Sequence, residues 1–151
     1  MAEVTLREVT LREVTEETIW PVMVLEVAGD QGHLVAPNSM SIAEAYFEPK
    51  AWFRAIYADD DPVGFIMLFD DPDTPKFYLW RMMLADGQQR KGCGSRALEL
   101  LVDYVGTRPN ATEITVGSIP GNGSPQPFYE GFGFVDTGEV KSGEVIVRLR
   151  L

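Results

Sequence analysis

The sequence predicts one α/β domain, built around a single mixed and mostly antiparallel sheet that is flanked by helices. The first observation is size and composition, because 151 residues, 45% hydrophobic and 24% charged, provide one core and match an ordered chain. The second is the order of the strand and helix patterns, β-α-α-β-β-β-α-β-α-β-β. The third is a run of three strands joined by short turns, which predicts an antiparallel meander, followed by a helix that crosses over to a parallel strand.

The N-terminal residues predict the first strand. Valine and leucine alternate with polar residues over residues 5–14, which is a strand pattern. Residues 4–8 are repeated at once as residues 9–13, and one copy is enough for a strand. A five-residue period is too short for a repeat architecture, so we interpret it as a local duplication in which either copy can form the strand.

Two short helices are predicted next. Thr15 is a typical N-cap because glutamates occupy the first turn after it, and Gly29 is a typical stop. The expected apolar stripe of this helix consists of Trp20, Val24 and Val27. Ser41 predicts the N-cap of a second helix over residues 42–47, which must end before Pro49.

The remaining elements follow from hydrophobic periodicity. The meander strands are predicted at residues 51–57, 63–69 and 77–84. A helix is predicted over residues 95–105, with an apolar face made of Ala97, Leu98, Leu101, Val102 and Val105. The C-terminal elements are a buried strand at 112–116, a short helix at 127–131, and strands at 134–140 and 145–149.

Charge and the counts of two residue types exclude several functions. The formal net charge is −10, which disfavours duplex DNA and anionic membranes as partners and weakly favours a cationic ligand. One cysteine, Cys93, and one histidine, His33, exclude an internal disulfide and the common zinc sites, so we predict no metal. The first residues lack the charge and apolar pattern of a signal peptide, and no apolar run could span a membrane, so we expect a cytoplasmic protein.

A glycine-containing loop at residues 88–95 carries the clearest functional signal. It lies between a predicted strand and a predicted helix, and Gly92 and Gly94 let the backbone approach a ligand closely. The N–H groups at the helix start, with Arg90 and Lys91 beside them, suit a phosphate or pyrophosphate. The loop is neither a Walker motif nor the dinucleotide fingerprint, and a glycine-rich turn without a ligand is the alternative.

The chain here resembles the GNAT N-acetyltransferase superfamily. Residues 89–94 match its Gln/Arg-x-x-Gly-x-Gly/Ala pyrophosphate loop, and residues 80–84 resemble its splayed fourth strand. Residues 122–134 resemble its Asn-x(6)-Tyr-Glu-x-x-Gly-Phe segment, although Gly-Ser-Pro at 123–125 departs from the usual alanine-rich helix start. Residues 35–45 resemble the bacterial spermine/spermidine acetyltransferases. The resemblance implies a GNAT-like fold, in which the fourth and fifth strands form a splayed pair (β4/β5), and a single N-acetyltransferase domain over residues 1–151.

This resemblance implies acetyl transfer from acetyl-CoA to a primary amine of a small cationic molecule, for which a polyamine is expected, by direct attack in a ternary complex. Tyr129 is expected to protonate the leaving thiolate, since reference pKa values of roughly 8.5 for a thiol and 10 for tyrosine require no strong shift. An amide near Met83 or Leu84 is expected to stabilise the oxyanion. The implied cofactor-binding residues are Met82, Met83, Leu84, Gln89, Arg90, Lys91, Gly92, Cys93, Gly94, Ser95, Asn122 and Phe128.

The acceptor, the base and the assembly stay open at this stage. The acceptor can instead be an antibiotic, an amino acid or a protein N-terminus, or the chain can be a non-catalytic acyl-CoA-binding sensor. Candidate bases are Glu26, Glu44 and His33, each with surface solvation as the alternative. Packing is the favoured role of Cys93 within the loop. The aspartates at 59–61 and 70–73 and three tryptophans, Trp20, Trp52 and Trp80, are either structural or part of a surface for cations. A homodimer is what the resemblance implies.

Overall fold

A computed structural model describes residues 7–27, 29, 36–89 and 92–151. Within these residues the helices and strands follow the predicted order. They are β1 (Val9–Arg12), α1 (Ile19–Met23), α2 (Asn38–Phe47), β2 (Ala51–Ala58), β3 (Asp61–Asp71), β4 (Lys76–Leu84), α3 (Cys93–Gly106), β5 (Glu113–Ser118), α4 (Gln126–Phe132), β6 (Val135–Lys141) and β7 (Glu144–Arg150).

The seven strands form one mixed sheet in the order β1-β2-β3-β4-β5-β7-β6. Five of the six neighbouring pairs are antiparallel, and β2, β3 and β4 form the predicted meander. The parallel pair is β4 with β5, which is reached through α3. Its register contains two residue pairs, Tyr78 with Thr115 and Leu79 with Val116, and beyond them the two strands separate. The predicted α/β class and the splayed strand pair are confirmed.

Helices cover both faces of the sheet and divide the core in two. On one face α3 and α4 pack on the strands, with Leu98, Leu101 and Ile114 fully buried. On the other face α1 and α2 cover a smaller cluster that includes Val22, Phe65 and Met67. The predicted apolar face of α3 is confirmed: four of its five residues are buried and Val102 is half-buried.

The second copy of the N-terminal repeat forms the first strand. Val9–Arg12 pairs antiparallel with β2, from Val9 opposite Ala58 to Arg12 opposite Ala55. Residues 7 and 8, which end the first copy, precede the strand, and residues 1–6 lie outside the described part of the chain. Arg7 is held by contacts with the turn after β2, where it pairs with Asp59 and Asp61.

The prediction for α1 is wrong in its start, in its end at Gly29 and in its buried face. The helix spans Ile19–Met23, and its N-cap is Thr18 rather than Thr15. The chain reaches it through a turn in which the Thr15 N–H donates to the Thr18 hydroxyl at 2.8 Å. Val22 is the fully buried residue, while Trp20 and Val24 are exposed. Five residues make little more than one turn, so one side chain faces the sheet and no helical stripe develops.

Two other helices begin earlier than predicted. Helix α2 begins at Asn38, so Ser41 lies inside it rather than at its N-cap. The buried Asn38 amide donates to the Val22 carbonyl at 2.9 Å and thereby fixes the start of α2 against α1. Helix α3 begins at Cys93, because Gly92 takes the left-handed conformation with φ of 80° and turns the chain into the helix.

Candidate active site

A cleft of about 360 Å³ opens where β4 and β5 separate. One wall is the end of β4, and the opposite walls are the start of α3 and the segment that leads into α4. The lining residues are Val27, Met82, Met83, Leu84, Gln89, Gly92, Gly94, Ser95, Gly123, Ser124, Pro125, Phe128 and Tyr129. The end of β4 and the glycine loop that follows it therefore share this cleft with residues 123–125, Phe128 and Tyr129, which come much later in the sequence.

A bulge in β4 shapes the wall of the cleft. Met67 of β3 pairs with Arg81, and the next residue, Leu68, pairs with Leu79, so Trp80 is an extra residue in β4. Leu79 packs into the core under α3, whereas Trp80 packs against the opposite cluster, and Arg81 contacts α2 on that same side. Bulges reverse the alternation of side chains and bend the strand. This one turns β4 away from β5.

The start of α3 presents backbone N–H groups of a kind that suits an anion. Its first N–H groups have no partner within the helix. The aligned peptide dipoles of its fourteen residues place their positive end at this point. Gly94 is buried, and a Cβ built on it would contact Leu84 Cδ1 at 3.3 Å and Phe128 Cζ at 3.4 Å. The absence of a side chain at this position brings the helix backbone close to the cleft. Gln89 also lines the cleft, and its amide donates to the Leu84 carbonyl at 3.5 Å.

Tyr129 lies between this cleft and a second cavity. The ring is 4% exposed and packs edge-on against Phe134, with ring centroids 5.6 Å apart. Its hydroxyl has no hydrogen-bond partner in the described part of the chain, and burial strongly raises its pKa. The phenol therefore stays protonated through the physiological range.

The second cavity, here called the side pocket, has a volume of about 100 Å³ and adjoins the cleft. Met82, Pro125 and Tyr129 line both cavities. The remaining lining residues are Ala36, Trp80, Arg81, Gly117, Ser118, Ile119 and Glu144. It contains polar groups that sequence reasoning missed, because no motif marks Ser118 or Glu144. Their proximity to Tyr129 results from strand register.

The structure brings eight of the twelve predicted cofactor-binding residues to the cleft, and two of the described residues, Cys93 and Asn122, do not line it. Cys93 is buried beneath the loop as a free thiol and packs in the core, as its expected packing role requires. Asn122 is exposed and does not line the cleft, because a turn closed by the Ser124 N–H on the Gly121 carbonyl presents its neighbours instead. Arg90 and Lys91 lie outside the described residues.

The candidate bases are not gathered at the cleft. Glu26 is exposed, and Glu44 is bound to Arg81, with 3.1 Å between Glu44 Oε1 and Arg81 Nη2. His33 lies outside the described residues. Of the three tryptophans, Trp80 lines the side pocket, Trp20 is exposed on α1, and Trp52 stacks on Tyr104 in the core.

The residues that the structure describes contain no cluster of three or more side chains able to hold a metal ion. Among these residues there is also no helix with the length and apolar character needed to cross a membrane.

Comparison with known proteins places this geometry in a family. The acetyltransferase (GNAT) family model matches residues 22–134. No curated protein matches the chain significantly. Among solved structures, aminoglycoside acetyltransferase AAC(6')-Ib with coenzyme A is 19% identical over 95% of each chain, with a TM-score of 0.77. A domain from Methanocaldococcus jannaschii is 11% identical over 96% of this chain and 99% of that chain, with a TM-score of 0.76. PaiA N-acetyltransferase from Thermoplasma acidophilum, with coenzyme A, is 20% identical over 74% of this chain and 68% of that chain, with a TM-score of 0.58.

Proposed function

The chain belongs to the GNAT acetyltransferase family, whose acetyl donor is acetyl-CoA, and on this premise we propose that it acetylates a primary amine of a small cationic molecule such as a polyamine. The observation that carries the proposal is the pair of adjoining cavities at the β4/β5 opening. One faces a helix N-terminus suited to the donor, and the other contains a carboxylate suited to an ammonium group.

The residues around the larger cleft fit the donor. The N–H groups of residues 92–95 at the start of α3 would bind the pyrophosphate, with Gln89 and the charged loop residues Arg90 and Lys91 beside them. The backbone of Met82 and Leu84 faces the opening rather than β5, so it is available to pair with the extended pantetheine arm. Phe128 supplies apolar surface next to Gly94.

The reaction requires an electrophile, a stabilised oxyanion and a proton for the leaving sulfur. The bound thioester supplies the electrophilic carbonyl. An amide at Met83 or Leu84 would donate a hydrogen bond to the developing oxyanion. Tyr129 would give its proton to the sulfur, and its raised pKa is compatible with this role because a thiolate in the same buried place also gains proton affinity. The amine attacks directly, in a complex that holds both substrates.

An aminoglycoside is the second candidate acceptor. Two of the similar folds are AAC(6')-Ib structures, one of them solved with paromomycin and acetyl-CoA. Polyamines and aminoglycosides both present several ammonium groups, so the carboxylate in the side pocket suits either class. The proposal further includes one N-acetyltransferase domain over residues 1–151, a cytoplasmic location and a homodimer. Cell fractionation tests the cytoplasmic location, and sedimentation of the purified protein tests the homodimer.

The test is a panel of amines with acetyl-CoA, followed by release of the coenzyme A thiol. The panel contains spermidine, spermine, an aminoglycoside, free amino acids and a peptide with a free N-terminus. We expect turnover with spermidine and spermine. Turnover with the aminoglycoside alone would replace the polyamine assignment. Stabilisation by acetyl-CoA in thermal melts, without turnover of any amine, would instead indicate an acyl-CoA-binding sensor.

A further inference from the structure

We propose that Glu144 is the carboxylate that binds the ammonium group of the acceptor in the side pocket and accepts its proton before attack. The inference rests on the proposed function and names the base that the sequence left open. It follows from the place of Glu144 in the fold, from the charges around it and from an unpartnered hydroxyl in the same pocket.

The fold fixes Glu144 beside the opening of the sheet. Ser142 and Gly143 have φ values of 51° and 80°, which make the tight turn between β6 and β7, and Glu144 is the first residue after it. Val145 pairs with Ser118 at the end of β5. The Glu144 side chain lies across Gly117, since a Cβ built there would be 2.6 Å from Glu144 Oε2. The missing side chain at Gly117 therefore makes the space that the carboxylate occupies.

The carboxylate of Glu144 has no ion-pair partner among the described residues. Arg81 also lines the side pocket, but its charge is balanced: Nη2 donates to Glu44 and Nη1 donates to the Ser41 hydroxyl, each at 3.1 Å. The pocket therefore carries one uncompensated negative charge.

An unsatisfied hydroxyl marks the same pocket as a binding site. Ser118 is 4% exposed, and its Oγ has no hydrogen-bond partner in the part of the chain that the structure describes. Buried polar groups without a partner are rare in native proteins. An ammonium N–H can donate to this oxygen while a second N–H donates to Glu144, and Trp80 provides an aromatic wall.

The size and position of the pocket select the reacting end of the acceptor. A volume of about 100 Å³ is small against ligand sites of roughly 300–1,000 Å³, so it admits an amino group with its first carbons rather than a whole polyamine. The shared wall of Met82, Pro125 and Tyr129 places that group next to the larger cleft.

One proton moves from the ammonium nitrogen to a Glu144 oxygen, which leaves a neutral amine with a free electron pair. This pair forms the C–N bond with the acetyl carbon as the C–S bond breaks, and the sulfur leaves with its electrons and takes the proton of the Tyr129 hydroxyl. The new amide nitrogen loses its remaining extra proton to water, and Glu144 also releases its proton to water before the next cycle. Tyr129 regains a proton from water, so one proton is released in each cycle.

Four proteins test the inference: wild type, E144Q, G117A and E139Q. Glu144→Gln removes the charge at nearly constant shape. Gly117→Ala leaves the glutamate in the chain but occupies the space of its carboxylate. Glu139→Gln is the matched control, because Glu139 is exposed in the same hairpin and pairs with Lys141 at 3.3 Å, outside both cavities. Thermal melts verify that each variant is folded.

The acceptors are spermidine, or the alkylammonium of the panel that wild type turns over fastest, and trifluoroethylamine, which is largely neutral at neutral pH. With the charged amine, we expect kcat/KM to fall about 100-fold in E144Q and G117A, a typical loss for a general base. With trifluoroethylamine we expect a much smaller loss, since it arrives as the neutral amine and needs no base before it attacks. Calorimetric titration of the charged amine into protein with coenzyme A should show weaker binding in both variants and unchanged binding in E139Q.

Equal losses of both acceptors in E144Q would assign Glu144 a structural role and overturn the inference. Wild-type kcat/KM and binding in E144Q would overturn it as well, while the amine acetyltransferase function would stand. If wild type acetylates no amine at all, the proposed function fails first and the inference fails with it.

Discussion

A methyl group added at Gly64 would collide with β4 at the wall of the cleft. Gly64 lies on β3 opposite Leu84, and a Cβ built on it would be 2.4 Å from the Met83 carbonyl oxygen and 2.9 Å from Leu84 Cδ2. Real Cβ contacts are essentially never closer than 3.0 Å, and ordinary contact begins at 3.4 Å. The Met83 oxygen belongs to the backbone, so it cannot rotate away as a flexible side chain does. In Gly64→Ala the two strands must therefore separate by about 1 Å.

This displacement has two measurable consequences. Overpacking of a dense core costs about 2 kcal/mol of unfolding free energy, so the melting temperature should fall by roughly 6 °C. Because Met82–Leu84 carry the backbone groups proposed to hold the donor, the Kd for acetyl-CoA should rise about tenfold or more. Circular dichroism melts give the first value. Calorimetry well below the melting temperature gives the second.

Gly106→Ala is the matched control for this prediction. Gly106 ends α3, has no atom within 4 Å of a built Cβ and has no positive φ, so the same chemical change meets open space. We expect it to be neutral or slightly stabilising, by up to about 1 kcal/mol, and to leave acetyl-CoA binding unchanged. A G64A protein with the wild-type melting temperature would refute the steric reasoning. A lowered melting temperature with an unchanged Kd would show instead that this part of β4 does not hold the donor.

Two further predictions concern tyrosine hydroxyl groups. Tyr129→Phe should lower kcat about 100-fold in steady-state kinetics, because the proton donor is lost. The Kd for acetyl-CoA from calorimetry and the melting temperature should stay unchanged, because the hydroxyl makes no hydrogen bond within the described chain. An unchanged kcat would assign Tyr129 to packing. Burial, with the hydrogen bond to Asp70 second, raises the pKa of Tyr104 from 10.0 to about 12. The folded protein keeps this proton after the unfolded chain has lost it, so this contribution to stability is complete below pH 10 and is lost as the pH rises through 12. The stability advantage of wild type over Tyr104→Phe should therefore shrink between pH 10 and 12 in urea unfolding, and a constant difference would contradict the assignment.

The sequence predicted the fold where periodicity and turns act over short distances. The three meander strands and the apolar face of α3 follow from alternation and helical spacing, which depend on which side of one element faces the core. The prediction of the first helix was wrong because it assumed a longer helix than the single turn that packs on the sheet. There Val22 is buried by its neighbours in space, and the local sequence does not distinguish it from Trp20 or Val24.

The candidate site likewise has one part that the sequence predicts and one part that it does not. The glycine loop could be recognised because its spacing encodes a left-handed N-cap at Gly92 and a close approach at Gly94, both properties of the local chain. The side pocket could not be predicted. It depends on a one-residue bulge at Trp80 and on the register that sets Val145 opposite Ser118, and neither has a sequence pattern that fixes it.

The acidic character of the chain supports a cationic acceptor less than the net charge of −10 suggests. Residues of both aspartate clusters make structural contacts. Asp59 and Asp61 form ion pairs with Arg7. Asp70 accepts hydrogen bonds from Tyr104 on α3 and from Arg108, which follows the helix. The partners of these carboxylates offset their negative charge, so they attract a cationic ligand less than unpaired carboxylates would. Attraction of an ammonium group must therefore come from a carboxylate that the fold leaves without a partner at the opening of the sheet. Glu144 meets that condition, so removing this one charge should cost more acetylation than removing a surface carboxylate such as Glu139, although both variants have the same net charge.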